Sequence, residues 1–397
     1  MSAQHRPVII AGAGVGGLSA ALALGRKGFN VRVLEQAQAI QAIGYGIQLG
    51  PNAFHVLKRL GIAERVLDFC SFPQAGIMRD VVSGAEITRL PMGAALRERY
   101  GQPYAVIHRG DLHQALLDAC AACGRIELVT AARVTAFEDR ADHVVVSTAN
   151  ADYEAHALIG ADGVWSTVRA QLFDTPVQPR SLGFFAYRGL VERHEIPDEL
   201  FECNVNLWAG PGFHMMHYPL RADRLFNIVA VFRSTRFAQG DADCGGPDEL
   251  HRIFGGACDH VARLLQLVPT DKHWEISTMD PLPQWTRGRV ALLGDSAHAM
   301  LQALAQGACQ AMEDGICLAE QMAAQPRDCE AALTAYQRQR QTRAVRAQYE
   351  SRLYWEVYHA HGAYATLRNE LLRRTPSQAI ESLSWVYQAP DLSLQPH

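Results

Sequence analysis

The sequence predicts an α/β protein: a Rossmann-like nucleotide-binding domain, a strand-rich domain inserted into it, and a helical C-terminal region. Three observations predict this. The chain opens on an apolar run that enters a glycine-rich turn and then an Ala/Leu-rich helix. Two apolar runs much further along each end in an aspartate. Between them lie short β-type runs separated by turn residues.

The first element is the strand Pro7-Val8-Ile9-Ile10-Ala11, which leads into Gly12-Ala13-Gly14-Val15-Gly16-Gly17. This is G-x-G-x-x-G in its working context. Gly12 makes the tight turn, Gly14 lets backbone approach a pyrophosphate, and Gly17 lets helix pack on strand. The helix N-terminus offers free N–H groups and partial positive charge to phosphates. A second strand, Val31 to Leu34, ends at Glu35, 23 residues after Gly12, where an acid accepts ribose hydroxyls. The fingerprint alone does not choose between NAD and FAD. The strand Leu158-Ile159-Gly160-Ala161 ends in Asp162-Gly163, and Val290-Ala291-Leu292-Leu293 ends in Gly294-Asp295. Each delivers a carboxylate to the sheet edge where open α/β sheets hold ligands. A dehydrogenase needs neither, whereas the ribitol of FAD needs an acceptor. The alternative is that both aspartates only close strands and cap the helices that follow.

The insert is read from Gly183 to Val191, Asn204 to Ala209, Phe213 to Leu220 and Leu225 to Arg233, with turns at Gly210-Pro211-Gly212 and Arg221 to Arg224. The expected division is 1–178 for the first part of the FAD-binding domain, 179–285 for the substrate-binding sheet, 286–330 for the returning FAD-binding part, and 331–397 for the helical region. Pro176, Pro179 and Pro281 to Pro283 punctuate the crossings. Tyr336 to Trp355, rich in Arg and Gln, reads as a surface or dimer-packing helix, compatible with a homodimer.

Composition narrows the classes. The 397 residues are 48% hydrophobic and 20% charged, with net charge −4, so nothing points to nucleic acid. No membrane contact and no metal site are expected. The N-terminus lacks a basic n-region and reads as neither signal peptide nor membrane span. Nine cysteines without an export signal suggest reduced thiols in the cytoplasm. Cys120 and Cys123 have redox spacing but read as ordinary helix packing.

On these motifs the chain resembles the FAD-dependent aromatic hydroxylases of the p-hydroxybenzoate hydroxylase class, over about residues 7 to 325. The resemblance rests on Gly12, Gly14, Gly17, Glu35, Arg109 in His108-Arg109-Gly110-Asp111-Leu112, Asp162-Gly163, and Gly294-Asp295 with the segment to Asp314. It implies that these residues contact FAD, with Gln48 and Gln306-Gly307-Ala308 alongside. It also implies NADH or NADPH as cosubstrate, with Asp162-Gly163 helping to accommodate it. Gly44 to Ala53 and Leu301-Gln302 are most similar to the members that convert 3-hydroxybenzoate to 2,5-dihydroxybenzoate (gentisate). The implied partners are a small phenolic acid and O₂. Salicylate or 6-hydroxynicotinate hydroxylation is the sister reading, and a non-catalytic FAD-binding scaffold is the alternative outside the class. A halogenase would need a W-x-W-x-I-P segment, which is absent.

The implied chemistry is attack by the electrophilic distal oxygen of a flavin C4a-hydroperoxide on an electron-rich ring. A phenol reacts best as phenolate, so the site wants a base on its hydroxyl. On the strand Phe213-His214-Met215-Met216-His217-Tyr218, His214 and Tyr218 share a face. They stand about 13 Å apart at ~3.3 Å per residue. The resemblance favours His214 as partner of the hydroxyl and Tyr218 as a second polar contact. If the register is off by one, His217 is the pocket residue. Gln302 replaces a proline of the wider family and reads as a buried amide near the flavin. Ala303, Ala305 and Cys309 depart from the family's aromatic residue, Gly and Asn. His298 reads as structural.

Overall fold

The computed structural model describes residues 6–39, 44–174, 177–241, 243–374 and 381–390. Pro176 falls outside them. A six-stranded sheet runs in the order Thr286–Arg287, Val290–Leu292, Ala157–Gly160, Val8–Ala11, Val31–Leu34, Ile126–Val129. Its inner neighbours pair in parallel, and only the edge strand Thr286–Arg287 is antiparallel. Val8–Ala11 and Ala157–Gly160 are wholly buried, which explains their unbroken apolar sequence. Helix Val15–Arg26 packs on helices Arg109–Ala121 and Gly307–Ala324. The two Asp-ending strands are neighbours, so Asp162-Gly163 and Gly294-Asp295 reach the edge where Gly12 turns.

A seven-stranded sheet runs in the order His273–Thr278, Arg180–Glu192, Leu225–Arg233, Phe213–Leu220, Val205–Gly210, Ala75–Asp80, Glu86–Pro91. Four of these are the expected β-type runs. The last two come from the first stretch of chain, with Ala75–Asp80 lying parallel to Val205–Gly210. This sheet is therefore assembled from two stretches of chain.

The sheet has two unlike faces. Phe213, Met215, Phe226 and Phe232 pack with Phe254 and Val261 of helices Pro247–Phe254 and Asp259–Leu265. On the other face, Tyr218 and Leu220 pack with Tyr104, Val106 and Leu304 of the nucleotide-binding part. The C-terminal helix Cys329–Tyr358 is more than a surface helix. Tyr336, Arg340, Ala344, Ala347, Gln348, Ser351 and Trp355 are buried along its inner face. Arg340 is tolerated there because buried carboxylates neutralise it. Among the described residues no helix is long and apolar enough to cross a membrane.

Candidate active site

The nucleotide end is built from close backbone approaches. Gly12 has φ +105, and a Cβ there would lie 2.5 Å from the Ala161 carbonyl oxygen. At Gly17 a Cβ would lie 2.1 Å from the Gly12 oxygen. At Gly14, the N-cap of helix Val15–Arg26, a Cβ would meet nothing within 4 Å. Strand and helix thus fill the space at Gly12 and Gly17, while the turn stays open where a pyrophosphate would approach. Glu35 closes the turn, accepting from the Ala13 and Ala37 amides at 2.9 Å each. Arg109 starts helix Arg109–Ala121 with an exposed side chain, its amide donating to the Tyr45 oxygen at 2.9 Å.

The two aspartates differ. The Asp162 carboxylate accepts from the Ser166 hydroxyl at 2.5 Å, the Thr167 and Val168 amides at 2.7 and 3.1 Å, and the Ser296 hydroxyl at 3.1 Å. Its side chain caps helix Thr167–Leu172, the alternative raised from sequence. The Gly163 amide donates to Ser296 at 2.9 Å, tying the two Asp motifs together. Asp295, by contrast, is exposed between buried Gly294 and Ser296. Its carboxylate faces Gly307, 4.0 Å from where a Cβ would stand there. Gly307 and Ala308 open helix Gly307–Ala324, so their amides lack intrahelical partners. The Gln306 side chain turns inward and accepts from Asn52 at 3.0 Å and Gln310 at 3.1 Å.

Behind this turn lies a buried charge network. Asp314 accepts from the Gly294 amide at 3.1 Å, bonds His298 at 2.6 Å and accepts from Arg340 at 2.7 Å. Arg340 also donates to Glu313 at 2.6 Å and to the Gln310 side chain at 2.7 Å. Glu313 further accepts from Arg343 and Asn52 at 2.7 Å each. Burial opposes the charge on Asp314, but His298 and Arg340 hold its carboxyl down at about 2. His298 is structural, as its position suggested.

On the sheet face turned toward this edge, the expected register is observed. His214 is buried against Trp355 and Tyr358, with ring centroids at 5.5 and 5.7 Å. Its Nδ1 lies 2.8 Å from Nε2 of His359. Burial pushes the His214 imidazole well below its ordinary value. His217 sits on the far face, beside the Trp208–His260 ring pair, with centroids at 6.3 and 5.9 Å. Tyr218 is buried beside Gly46 and bonds Gln48. The Gln48 amide donates to Met216 sulfur at 3.1 Å, and its oxygen accepts from Tyr104. Gln48 is therefore tied to Tyr218, Met216 and Tyr104.

Gln302 corrects the sequence reading. It is exposed, not buried, and its oxygen accepts from Arg188 at 3.1 Å. Sequence reasoning missed Arg188. It stands on Arg180–Glu192 at the parity of Phe184 and Ala186, facing the site. Its guanidinium lies against the paired Tyr45 and Trp274 rings, 5.6 and 5.8 Å from their centroids. Among the described residues it has no carboxylate partner, and its Nε is buried and unpartnered. A single charge in Phe184-Phe185-Ala186-Tyr187-Arg188-Gly189-Leu190 was the available signal. Cys120 and Cys123 are free thiols; Cys120 is buried and pushed up to about 12, which leaves it unreactive.

The FAD binding domain family matches residues 5–351. The chain is 41% identical over 383 residues to 3-hydroxybenzoate 6-hydroxylase of Polaromonas naphthalenivorans (strain CJ2), covering 96% of this chain and 95% of that one. It is 39% identical to 3-hydroxybenzoate 6-hydroxylase 1 of Aquipseudomonas alcaligenes, covering 97% and 98%. Klebsiella pneumoniae HpxO complexed with FAD and uric acid superposes with TM-score 0.85 at 28% identity, covering 96% of both chains.

Proposed function

This chain belongs to the FAD-binding domain family and is an FAD-dependent aromatic monooxygenase, and from that premise we propose that it converts 3-hydroxybenzoate to 2,5-dihydroxybenzoate with NADH and O₂. One observation carries the substrate reading. The sheet face toward the Gly294-Asp295 turn presents a buried imidazole, a buried phenol and an arginine without a carboxylate partner. A hydroxybenzoate asks for those three: a base for its hydroxyl, a polar contact, and a cation for its carboxylate.

FAD would be held by Gly12, Gly14 and Gly17 with the N-terminus of helix Val15–Arg26 at its pyrophosphate. Glu35 would take the ribose hydroxyls and Asp295 the ribitol, with Arg109 and the amides of Gly163, Gly307 and Ala308 around it. When bound, FAD supplies electron transfer from the nicotinamide and activation of O₂. The protein supplies the rest. Arg188 anchors the substrate carboxylate in place of its bond to Gln302; charge-assisted bonds of this kind contribute about 1.5–3 kcal/mol. His214 takes the hydroxyl proton at Nε2, since Nδ1 is occupied by His359. Tyr218 and Gln302 orient the ring. The packed sheet excludes water. NADH rather than NADPH is part of this reading and rests on resemblance. A cytoplasmic homodimer is also part of this reading; it rests on the cysteine usage and the C-terminal helices, and we place its contact on exposed Tyr349, Leu353, Tyr364, Leu367 and Leu371.

The test is a panel of hydroxybenzoates, salicylate and 6-hydroxynicotinate, with NADH and O₂ consumption matched to chromatographically identified product. Stoichiometric gentisate from 3-hydroxybenzoate is expected. Coupled turnover of another acid, with 3-hydroxybenzoate inert, would overturn the substrate assignment.

A further inference from the structure

We propose that His359, which follows the last turn of helix Cys329–Tyr358, is a positioning residue that receives the substrate's hydroxyl proton through His214. The proposal rests on the phenolic-acid reading above.

The geometry is two buried imidazoles joined nitrogen to nitrogen. His214 is 2% exposed and His359 7%, and Nδ1 of the first lies 2.8 Å from Nε2 of the second. Trp355 and Phe184 wall in His359 with centroids at 4.8 Å each. At this separation the two nitrogens must share one proton. Two N–H groups would collide, and two lone pairs would repel. Two neutral arrangements satisfy this. In one, His359 donates to His214, whose Nε2 then carries a proton and cannot act as a base. In the other, His214 Nδ1–H donates to His359, and His214 Nε2 keeps its lone pair for the substrate. His359 then carries its own proton on Nδ1, which is buried without a protein partner.

From that second arrangement the proton steps balance. The phenol O–H bond breaks, its electron pair stays on oxygen, and the proton bonds to His214 Nε2. The proton on His214 Nδ1 passes to His359 Nε2. His214 ends neutral, and the positive charge rests on His359, one residue further from the phenolate.

The fold gives that charge a place. The His359 amide donates to the Trp355 oxygen at 3.3 Å, and the imidazole stands at the C-terminal end of a 30-residue helix. That end carries roughly half a negative charge. The charged and titratable groups facing the pair are few. Arg368, on helix Gly362–Arg374, donates to the Val357 oxygen at 2.9 Å and opposes a charge on His359. Asp80, on Ala75–Asp80, moderates Arg368. The Tyr358 hydroxyl donates to the Ala303 oxygen at 2.7 Å. Arg368 and burial together keep the pair neutral at rest, the state from which it can accept a proton.

The experiment is a pH titration of 3-hydroxybenzoate bound to oxidised holoenzyme, following the near-ultraviolet phenolate band in wild type, His359→Phe and His359→Gln. The wild type should ionise the bound phenol well below its solution value. His359→Phe should raise the apparent pKa by about one unit or more, a tenfold loss of phenolate at fixed pH. His359→Gln can accept from His214 Nδ1–H but cannot take the proton, so it should fall between. It carries the test alone if the Phe variant does not fold. Variants that hold FAD and ionise the phenol as wild type does would overturn the relay and leave the substrate reading intact. A wild type giving no phenolate band with 3-hydroxybenzoate would overturn the substrate reading, and the relay with it.

Discussion

Replacing Arg340 by Met should destabilise the cofactor edge more than any exposed substitution could. Arg340 donates to Asp314, Glu313 and Gln310 at 2.7, 2.6 and 2.7 Å, and all three partners are buried. Methionine fits the volume but leaves two buried carboxylates short of a cation. Arg343 still serves Glu313, and His298 still serves Asp314. Breaking a buried ion pair on one side costs about 3–5 kcal/mol. For 397 residues, an unfolding entropy of about 2 cal/mol/K per residue converts this to a fall in Tm of roughly 5 °C. The effect should depend on pH. The Asp314 carboxyl is held at about 2, below its ordinary 3.8. Its contribution, about 2 kcal/mol, is therefore full above pH 3.8 and lost as pH falls through 2. Without Arg340 the folded carboxyls rise toward ordinary values, so the gap between variant and wild type should hold down to about pH 3.8 and narrow as the buffer is acidified from there toward pH 2. Thermal melts read by flavin fluorescence measure both quantities. A Tm loss under about 1 °C at neutral pH, or a gap that does not close in acid, would refute the view that Arg340 neutralises this edge.

Asp295→Ala should weaken FAD retention by about 1.5–3 kcal/mol, the worth of a hydrogen bond to a charged group, and equilibrium dialysis of the cofactor would show it. Gly17→Ala places a methyl carbon 2.1 Å from the Gly12 oxygen, so it should be isolated largely as apoprotein; a yellow, fully loaded variant would contradict that contact. His214→Ala should release hydrogen peroxide at product's expense, since a lost general base costs about 10²–10⁴-fold in its step. His217, whose two ring nitrogens are buried and unpartnered, should tolerate Phe with a gain of about 1 kcal/mol and unchanged coupling; uncoupling by His217→Phe instead would reverse the register.

Much of this was legible because period and punctuation carry it. Val8–Ala11, Ala157–Gly160 and Val290–Leu292 are apolar on both faces, which only a sheet covered on both sides explains. Alternation along Phe213–Leu220 fixed His214 and Tyr218 on one face. What failed depended on distant partners. Gln302 was expected to be buried, yet it is exposed and its bond goes to Arg188, 114 residues away. Asp162 was expected at the ligand, and its carboxylate also caps a helix through Ser166, four residues on, a bond that expectation left out. That signal was local and was outweighed by the family pattern. Ala75–Asp80 joins the substrate sheet by pairing with Val205–Gly210, and no short-range pattern announces a pairing across so much chain. Ala305, where the wider family has glycine, sits at φ 53, a left-handed position that explains the glycine.

Helix Cys329–Tyr358 is the element that makes these parts one site. Near its middle, Arg340 grips Asp314, and Asp314 in turn holds the Gly294 amide of the cofactor turn. Eighteen residues on, or about 27 Å at 1.5 Å per residue, Tyr358 holds the Ala303 oxygen and His359 meets His214. Gln302 lies next to Ala303 in the chain. One helix therefore reaches the Gly294-Asp295 turn through Asp314, the Gln302-Ala303 loop, and His214 on the opposite sheet. Positions set by one helix vary less than positions set by separate loops, and a reaction that must deliver oxygen to one carbon of a ring depends on that constancy. The inner face explains the residues the sequence left puzzling. Arg and Gln recur along this helix because those on its inner side reach sideways to a different backbone or carboxylate: half-buried Gln337 to the Trp285 and Thr286 amides, Arg340 to Asp314, and Gln348 to the Met279 and Ala299 oxygens. A polar helix face is here the fastening onto the core of the six-stranded sheet.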